Sequence, residues 1–174
     1  MNLKVITYPD KKLKEVSQPV EVFDEKLHKL LDGMYDVMLA SNGVGLAAIQ
    51  VGKAIEVLVI NIPNEDDEEQ HVEDLIEIIN PTLENLAGSI FSQEGCLSVP
   101  GFYEDIERFE TVTLHYQNRD GVKHTLHAEG LLSIAIQHEM DHLKGKLFIE
   151  KLSYSQRKKF EKEYKKAQKE KNKK

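Results

Sequence analysis

Apolar residues recur at helical spacing in one segment near the start of the chain. The spacing is carried by Leu27, Leu30, Leu31, Met34, Val37 and Met38. Asp24 precedes the run as a candidate N-cap, and Ser41-Asn42-Gly43 follows it as a polar stop. The pattern predicts one helix with a buried face.

Short β-branched or alternating runs fill the middle of the chain. Residues 57–61 and 75–80 predict two strands, and a proline ends the second. Residues 111–117 and 122–127 flank an Asn-Arg-Asp-Gly sequence, which predicts a hairpin.

Helical patterns return towards the C-terminus. Residues 131–143 predict a helix with Gly145 just past its end. Ser153 and Gln156 have the spacing of a capping box, which predicts a further helix through the tail. Strands in the middle with helices at both ends favour an α+β fold.

Composition and charge refine this picture. The 174 residues, 40% of them hydrophobic, suit one domain with a proper core. Residues 151–174 hold 11 Lys/Arg and 3 Asp/Glu, a net charge of +8, whereas the other 150 residues hold 12 and 27, a net charge of −15. We therefore expect a catalytic domain over residues 1–152 and a basic helical extension of it over residues 153–174. The extension suggests a polyanionic partner, and the alternative is a solvated charged helix.

The sequence predicts a cytoplasmic protein. Its single cysteine, Cys96, cannot form an internal disulfide, which fits a reducing compartment. No apolar run approaches the roughly 18 residues that a membrane helix needs. Residues 1–7 lack the charged-then-apolar layout of a signal peptide. Neither a membrane nor a DNA partner is expected.

Residues 138–142 read His-Glu-Met-Asp-His, an H-E-x-x-H motif. On a helix, His138 and His142 lie one turn apart on the same face, so both imidazoles can reach one metal ion. Glu139 is placed to take a proton from a water molecule at that ion. The alternative is a solvated helix face with two incidental histidines.

A catalytic metal usually has three protein ligands, so a third residue is required. No histidine follows His142, and the acidic candidates there are Glu150, Glu161, Glu163 and Glu170. Upstream lies Cys96, flanked by Gly95, which lets the backbone approach closely. A Cys-His-His set suits Zn²⁺ or Fe²⁺, although lone cysteines are usually buried small hydrophobes.

Residues 43–52 are rich in glycine and alanine and contain Gln50. The segment lacks the ending of a phosphate loop. Its small residues permit close approach to a ligand, and the Gln50 amide is able to donate to a substrate oxygen. A structural turn is the alternative.

Together the three segments resemble the peptide deformylase family. That family's motifs, G-φ-G-φ-A-A-x-Q, E-G-C-φ-S and Q-H-E-x-D-H with φ apolar, stand here at residues 43–50, 94–98 and 137–142, in order. The resemblance covers roughly residues 3–152. It implies an enzyme that removes the formyl group from the N-terminal formyl-methionine of nascent chains and releases formate.

The resemblance also implies roles for individual residues. The metal ligands fall on Cys96, His138 and His142, and the general acid/base falls on Glu139. The oxyanion donors fall on the Gln50 side chain and the Leu97 backbone N–H. The residues expected to contact the substrate are Gly45, Ile49, Glu94, Leu131, Ile134 and Ala135.

The family's metal is usually Fe²⁺, with Zn²⁺, Ni²⁺ or Co²⁺ as substitutes. Its fold implies mixed or antiparallel sheets around a central helix that carries the third motif, with a C-terminal helix. In some members a basic C-terminal helix docks on the ribosome. Tyr103 stands where many members carry Arg, and Ser92 stands where an aliphatic side chain often lines the pocket.

Helical spacing independently places Leu131, Ile134 and Ala135 on the face of His138, as an apolar wall suited to methionine or as ordinary core.

Two rival functions remain open. Another H-E-x-x-H metalloprotease predicts a His or Glu third ligand. A non-enzymatic ribosome- or RNA-binding module predicts a closed four-ligand site or none. Candidate fourth ligands lie on the predicted hairpin: His115, His124 and His127.

Overall fold

A computed structural model describes residues 2–173 and contains three α-helices and seven β-strands. In chain order they are α1 (Glu25–Ala40), β1 (Gly45–Ala47), β2 (Val57–Ile60), β3 (Ile76–Ala87), β4 (Ile90–Cys96), β5 (Val99–Arg108), β6 (Thr111–Gln117), β7 (Lys123–Glu129), α2 (Gly130–Leu143) and α3 (Tyr154–Asn172). One short 3₁₀ helix precedes α1, and three more lie between the later elements. This is the α+β fold that the sequence predicts.

Five strands form one antiparallel sheet in the order β1-β2-β3-β6-β7, and helices cover both faces of its first half. Strand β2 lies at the centre of this arrangement. Its residues Val57 and Val59 pack in the core cluster that contains the buried face of α1, whereas Leu58 and Ile60 pack in the cluster that contains α2. Because successive strand residues point to opposite faces, a strand buried on both sides must be apolar throughout.

Helix α2 is the central helix. Seven consecutive residues, from Ser133 to Glu139, are buried. A helix that is buried on all sides lies inside the fold. Its polar side chains therefore have fixed neighbours, which suits a catalytic centre.

Strands β4 and β5 form a separate two-stranded antiparallel ribbon. The sequence did not predict it, because Gly95, Pro100 and Gly101 are typical of turns. The inner face of the ribbon contributes Val99 and Ile106 to a third core cluster. Cys96 ends β4, so the ribbon carries one of the predicted ligands.

The predicted end of β3 is wrong. The strand continues through Pro81 to Ala87, with a register shift between Ile79 and Thr82. A bulge tolerates proline because no ladder N–H is needed there. Asn80, with φ of 52°, uses its side chain to bond the backbone N–H and C=O of Val20, which fixes the irregular geometry.

Helix α3 begins as predicted, with Ser153 and Gln156 forming a capping box. Phe160 is buried in the third core cluster and makes edge-to-face contacts with Tyr8 and Phe102. Tyr164 also packs edge-on against Tyr8. The helix is therefore anchored to the body by an aromatic cluster.

None of the helices described between residues 2 and 173 combines the length and the apolar character that a membrane span requires.

Candidate active site

His138 and His142 lie on one face of α2, both buried, with their Nε2 atoms 3.3 Å apart. Cys96 approaches from the end of β4, with Sγ 3.6 Å from His142 Nε2. The three ligand atoms all lie within 4.8 Å of one another. Two elements distant in sequence thus bring the three predicted ligands together.

This geometry fits one tetrahedral ion. Metal–nitrogen bonds of about 2.0–2.1 Å and metal–sulfur bonds of about 2.3 Å at a tetrahedral angle place two nitrogens about 3.3 Å apart and a nitrogen about 3.6 Å from the sulfur. The distances between the ligand atoms, 3.3 Å and 3.6 Å, are those values. Thiolate and imidazole donors suit Fe²⁺ or Zn²⁺.

A buried ionic network orients the first histidine. His138 Nδ1 lies 2.9 Å from Glu94 Oε1. Arg108 donates from Nε and Nη2 to the two oxygens of Glu94, at 2.8 Å each, and from Nη1 to Asp141 Oδ2 at 2.6 Å. Burial acts to raise the pKa of Glu94, but the hydrogen bonds from Arg108 and His138 outweigh it and lower that pKa to about 2. Glu94 is therefore a carboxylate that only accepts, and His138 keeps Nε2 free for a metal.

The two histidines of the site have pKa values shifted in opposite directions. Burial alone would lower the pKa of His138, but hydrogen bonds to Cys96 and Glu94 and the charge of Glu139 raise it well above its usual value. The pKa of His142 is lowered instead, by burial and by the charges of His138 and Arg108. A divalent cation held by the three side chains would interact favourably with the same acidic groups, Glu94 and Glu139, that raise the pKa of His138.

Glu139 is buried beside this point, with Oε1 3.9 Å from His138 Nε2. Its Oε2 is buried and has no hydrogen-bond partner among residues 2–173. Burial, reinforced by the nearby Glu94 and Asp141 charges, raises the pKa of Glu139 to about 7. A carboxyl group with that pKa can both accept and donate a proton at neutral pH. Glu139 lines the cavity beside the three candidate ligands, so its carboxyl group lies next to the space that a reacting molecule would occupy.

Glycine at position 45 makes room for Glu139. A Cβ built on Gly45 would lie 2.9 Å from Glu139 Oε1, closer than side chains normally approach. Gly45 begins β1, the edge strand of the five-stranded sheet. The edge strand and the catalytic carboxylate therefore share a space that only glycine leaves open.

Hydrogen bonds fix which end of the Gln50 amide faces the site. Its Oε1 accepts from the backbone N–H of Ala47 at 2.9 Å. Its Nε2 consequently points towards Ser98 Oγ, at 3.1 Å, and Cys96 Sγ, at 3.6 Å. The segment that was expected either to carry an oxyanion donor or to form a structural turn thus forms β1 and a 3₁₀ helix. The 3₁₀ helix directs the Gln50 amide N–H groups towards Cys96 and Ser98.

A cavity of about 520 Å³ opens beside the three ligands. Its walls include the predicted substrate residues Gly45, Glu94, Leu131, Ile134 and Ala135, together with Leu97. Ile49 is not among the lining residues, because its side chain is fully buried in the core cluster around α2. Glu94 reaches the wall, but its carboxylate oxygens are occupied by Arg108 and His138. The cavity has the size of a small-ligand pocket.

Sequence reasoning missed Arg108, Asp141 and Ser98. Asp141 lies within the motif, but nothing in its position indicates that it pairs with an arginine from another strand. Arg108 is a buried polar residue on a strand that was not predicted. Along β5, half-buried or buried residues alternate with exposed ones from Phe102 to Arg108, but the residue types there do not alternate between apolar and polar, so the sequence carries no corresponding signal.

The histidines of β6 and β7 are not ligands of this centre. His115 bonds Glu84 and Thr125, His127 bonds Thr113, and none joins the Cys96 group within the described part of the chain. A second group of candidate ligands, Asp67, Glu69 and His71, belongs to an exposed loop and is explained by an Asp67–His71 ion pair. The main centre therefore offers three candidate protein ligands and an open side towards the cavity.

Comparison with known proteins agrees with this geometry. A family model described as polypeptide deformylase matches residues 2–158. The chain is 57% identical to a peptide deformylase of Wolinella succinogenes, over 95% of this chain and 97% of the relative. It is 56% identical to one from Helicobacter pylori, over 96% and 95%. A crystal structure of a peptide deformylase from Legionella pneumophila superposes with a TM-score of 0.87 at 37% identity, covering 100% of this chain and 99% of the other.

Proposed function

The chain belongs to the peptide deformylase family, metal-dependent hydrolases that remove the formyl group from N-terminal formyl-methionine of nascent polypeptides and release formate, and we propose that its metal is held by Cys96, His138 and His142. The observation that carries this assignment is the tetrahedral spacing of the three ligand atoms. The open side of the site leads into the cavity, as a catalytic metal requires and a structural one does not.

We propose Fe²⁺ as the metal in the cell, with Zn²⁺, Ni²⁺ and Co²⁺ as substitutes. A ligand set of one thiolate and two imidazoles accommodates each of these ions. When bound, such an ion lowers the pKa of coordinated water and polarises a carbonyl group. Glu94 supports the ion indirectly, because its hydrogen bond fixes the orientation of the His138 ring.

Glu139 moves the protons of the reaction. Its carboxylate takes a proton from the attacking water and returns it to the nitrogen of the leaving amine. The pKa of about 7 suits both steps, and Glu139 lines the cavity in which the reacting groups would lie. Exclusion of bulk water by the surrounding core strengthens its interactions with the reacting atoms.

Gln50 Nε2 and the backbone N–H of Leu97 donate to the formyl oxygen as negative charge develops on it. Because the Ala47 N–H holds the other end of the Gln50 amide, the donor needs no reorientation during the reaction. The Gly45 backbone, at the edge of the sheet, contacts the peptide chain. The first side chain, methionine, occupies the apolar wall of Leu131, Ile134 and Ala135.

The test is formate release from a formyl-Met peptide, measured together with metal content after anaerobic purification. We expect one metal ion per chain and turnover that stops when a chelator removes it and returns with Fe²⁺. An acetyl-Met peptide of the same sequence is the control. Absence of formate release from the metal-loaded protein would contradict the proposed function.

We further propose that α3 docks the enzyme on the ribosome, in the cytoplasm. The exposed face of α3 carries Lys162, Lys165, Lys166 and Lys169, opposite the side anchored by Phe160. The rest of the chain is strongly acidic, so attraction to RNA phosphates would come from this helix.

A variant that removes the positive charge of these four lysines tests docking without disturbing the aromatic anchor. We expect that Lys→Gln changes at these four positions sharply reduce co-sedimentation with ribosomes and flatten its salt dependence. The matched control changes four exposed lysines elsewhere: Lys4, Lys11, Lys26 and Lys29. Equal binding by the two variants would contradict docking through α3.

A further inference from the structure

The solvent side of the β4–β5 ribbon has an unusual composition. Burial alternates along β5, so that Tyr103, Asp105 and Glu107 are exposed while their neighbours are buried or half-buried. Gln93 is the cross-strand partner of Asp105, and Phe91 is the partner of Glu107. We call this surface the outer ribbon face, defined by Phe91, Gln93, Gly95, Tyr103, Asp105 and Glu107. It combines two aromatic rings with two carboxylates.

The outer ribbon face is continuous with the mouth of the catalytic cavity. Gln93, Gly95 and Tyr103 line the cavity, yet the Tyr103 side of the mouth is open, with that residue 61% exposed. The Tyr103 ring lies directly over Gly95, where a Cβ would collide with it. A substrate peptide leaving the cavity on this side therefore passes an aromatic surface first.

The carboxylates of this face are not compensated by neighbouring cations. On the inner side of the ribbon, Glu94 pairs with Arg108 and Glu104 pairs with Lys159. On the outer side, Glu107 accepts a hydrogen bond from the neutral Ser89 hydroxyl. Within residues 2–173, neither Asp105 nor Glu107 forms an ion pair, and no Lys or Arg lines the cavity. The ribbon surface next to the mouth therefore carries two carboxylates beyond the Tyr103 ring, of which Asp105 lies opposite the cavity-lining Gln93.

We propose that the outer ribbon face selects nascent chains that carry Lys or Arg within the first few residues after formyl-methionine. The proposal rests on the deformylase function and defines its preferred substrate class. Tyr103 offers a ring face to a cation, and Asp105, two residues further on the same side of the strand, offers an ion pair. Glu107 extends the negative surface beyond Asp105 and attracts the cationic side chain as it approaches.

The distances along an extended chain fit this arrangement. A peptide in strand conformation advances about 3.3 Å per residue. A peptide that has its formyl group beside Cys96 and runs along β4 towards Gln93 would place its second to fourth residues beside Gly95, Tyr103 and Asp105, because Asp105 is the cross-strand partner of Gln93. Exposed cation–π contacts and exposed ion pairs are individually weak, and together they predict a preference of about threefold to tenfold.

The test is a peptide series with one scaffold, formyl-Met followed by small neutral residues, in which Lys, Gln or Glu is placed at position two, three or four. We expect kcat/KM to be highest for Lys and lowest for Glu at one or more positions, with the ratio shrinking as salt is added. Equal values for the Lys and Glu peptides at all three positions would overturn the preference. Failure of the enzyme to release formate from any peptide would instead overturn the deformylase function.

Variants assign the preference to the proposed side chains. We expect the double change Asp105→Asn with Glu107→Gln to reduce the Lys-to-Glu ratio towards one. The control, Glu15→Gln with Glu21→Gln, removes the same charge from exposed positions outside the cavity and should leave the ratio unchanged. Tyr103→Leu should lower the ratio while Tyr103→Phe, which keeps the ring, should preserve it. An unchanged ratio in the Asp105/Glu107 variant would overturn the proposal.

Discussion

Glu94 Oε1 accepts the hydrogen bond of His138 Nδ1 at 2.9 Å, and this contact joins the β4–β5 ribbon to the central helix. The same carboxylate receives both Nε and Nη2 of Arg108. Two of the proposed metal ligands are therefore positioned by one residue. Glu94 orients the His138 ring through its side chain, and it lies two residues before Cys96 on the same strand.

Replacing Glu94 should weaken metal binding without removing a ligand. In Glu94→Gln one carboxylate oxygen becomes an NH₂ group that faces an N–H donor of His138 or Arg108, and buried Arg108 keeps only Asp141 as an ion-pair partner. We expect metal affinity to fall about tenfold to a hundredfold. Competition with a chromogenic chelator measures it, and Glu107→Gln on the same ribbon is the control. Wild-type affinity in Glu94→Gln would contradict the positioning role.

Replacing Glu139 should separate chemistry from metal binding. We expect Glu139→Ala to retain the metal and to lose about 10²–10⁴ in kcat, because the side chain transfers protons and is not a ligand. Elemental analysis and formate release on the same preparation measure the two properties. Loss of the metal in this variant would reassign Glu139 as a ligand.

Replacing Cys96 should remove the metal as well as the activity. Cys96→Ala leaves two imidazoles, which cannot complete a three-ligand site. We expect loss of most bound metal and of formate release, with the fold retained as judged by circular dichroism. Full metal occupancy and normal turnover would place the third ligand elsewhere.

Much of this centre follows from the sequence, because the helical spacing of His138 and His142 is a local property that the motif itself encodes. The pairing of that helix with Cys96 depended on family resemblance, since contacts between distant segments leave no periodic signal. Arg108 was missed for a related reason. Arg108 lies on β5, a segment rich in acidic residues, glycine and proline, which have low β-propensity. This segment forms a strand because it pairs with β4, and that pairing is not visible in its own sequence. Pro81 led to a wrong prediction for the end of β3. Proline usually ends a strand because it has no N–H to donate, but at the bulge near Pro81 no N–H is needed.

The metal should determine how the enzyme survives in air. Ferrous iron beside a thiolate is oxidised, and the Cys96 thiol can then be oxidised in turn. We expect the Fe²⁺ form to lose activity in air faster than the Ni²⁺ or Co²⁺ form. Half-lives of formate release under matched buffers measure this, and equal half-lives for iron and nickel would contradict it.

The tail should matter for stability even though no proposed catalytic residue lies in it. A detachable basic extension predicts that truncation after Tyr154 leaves kcat/KM on a free peptide within a few-fold, whereas a helix held to the body by Phe160 and Tyr164 predicts that truncation unfolds or inactivates the enzyme. The aromatic cluster around Phe160 supports the alternative.

We therefore expect Phe160→Ala to lower the free energy of unfolding by about 3–5 kcal/mol, the usual cost of removing a buried phenylalanine. Urea denaturation measures it. Lys162→Ala, an exposed position on the same helix, is the control and should change little. Equal stability of the two variants would contradict the anchoring role of Phe160 and would show that the tail contributes little to the stability of the fold.

The division of the proposed metal ligands between ribbon and central helix also determines when a newly synthesised copy can become active. Cys96 and His142 are 46 residues apart, and β5, β6 and β7 lie between them. During translation the thiol leaves the ribosome well before either imidazole, so the ion cannot be captured by a complete ligand set until α2 has emerged. Maturation of the enzyme is thus a late event in its own synthesis, and a chain released before α2 would be unable to assemble the catalytic centre.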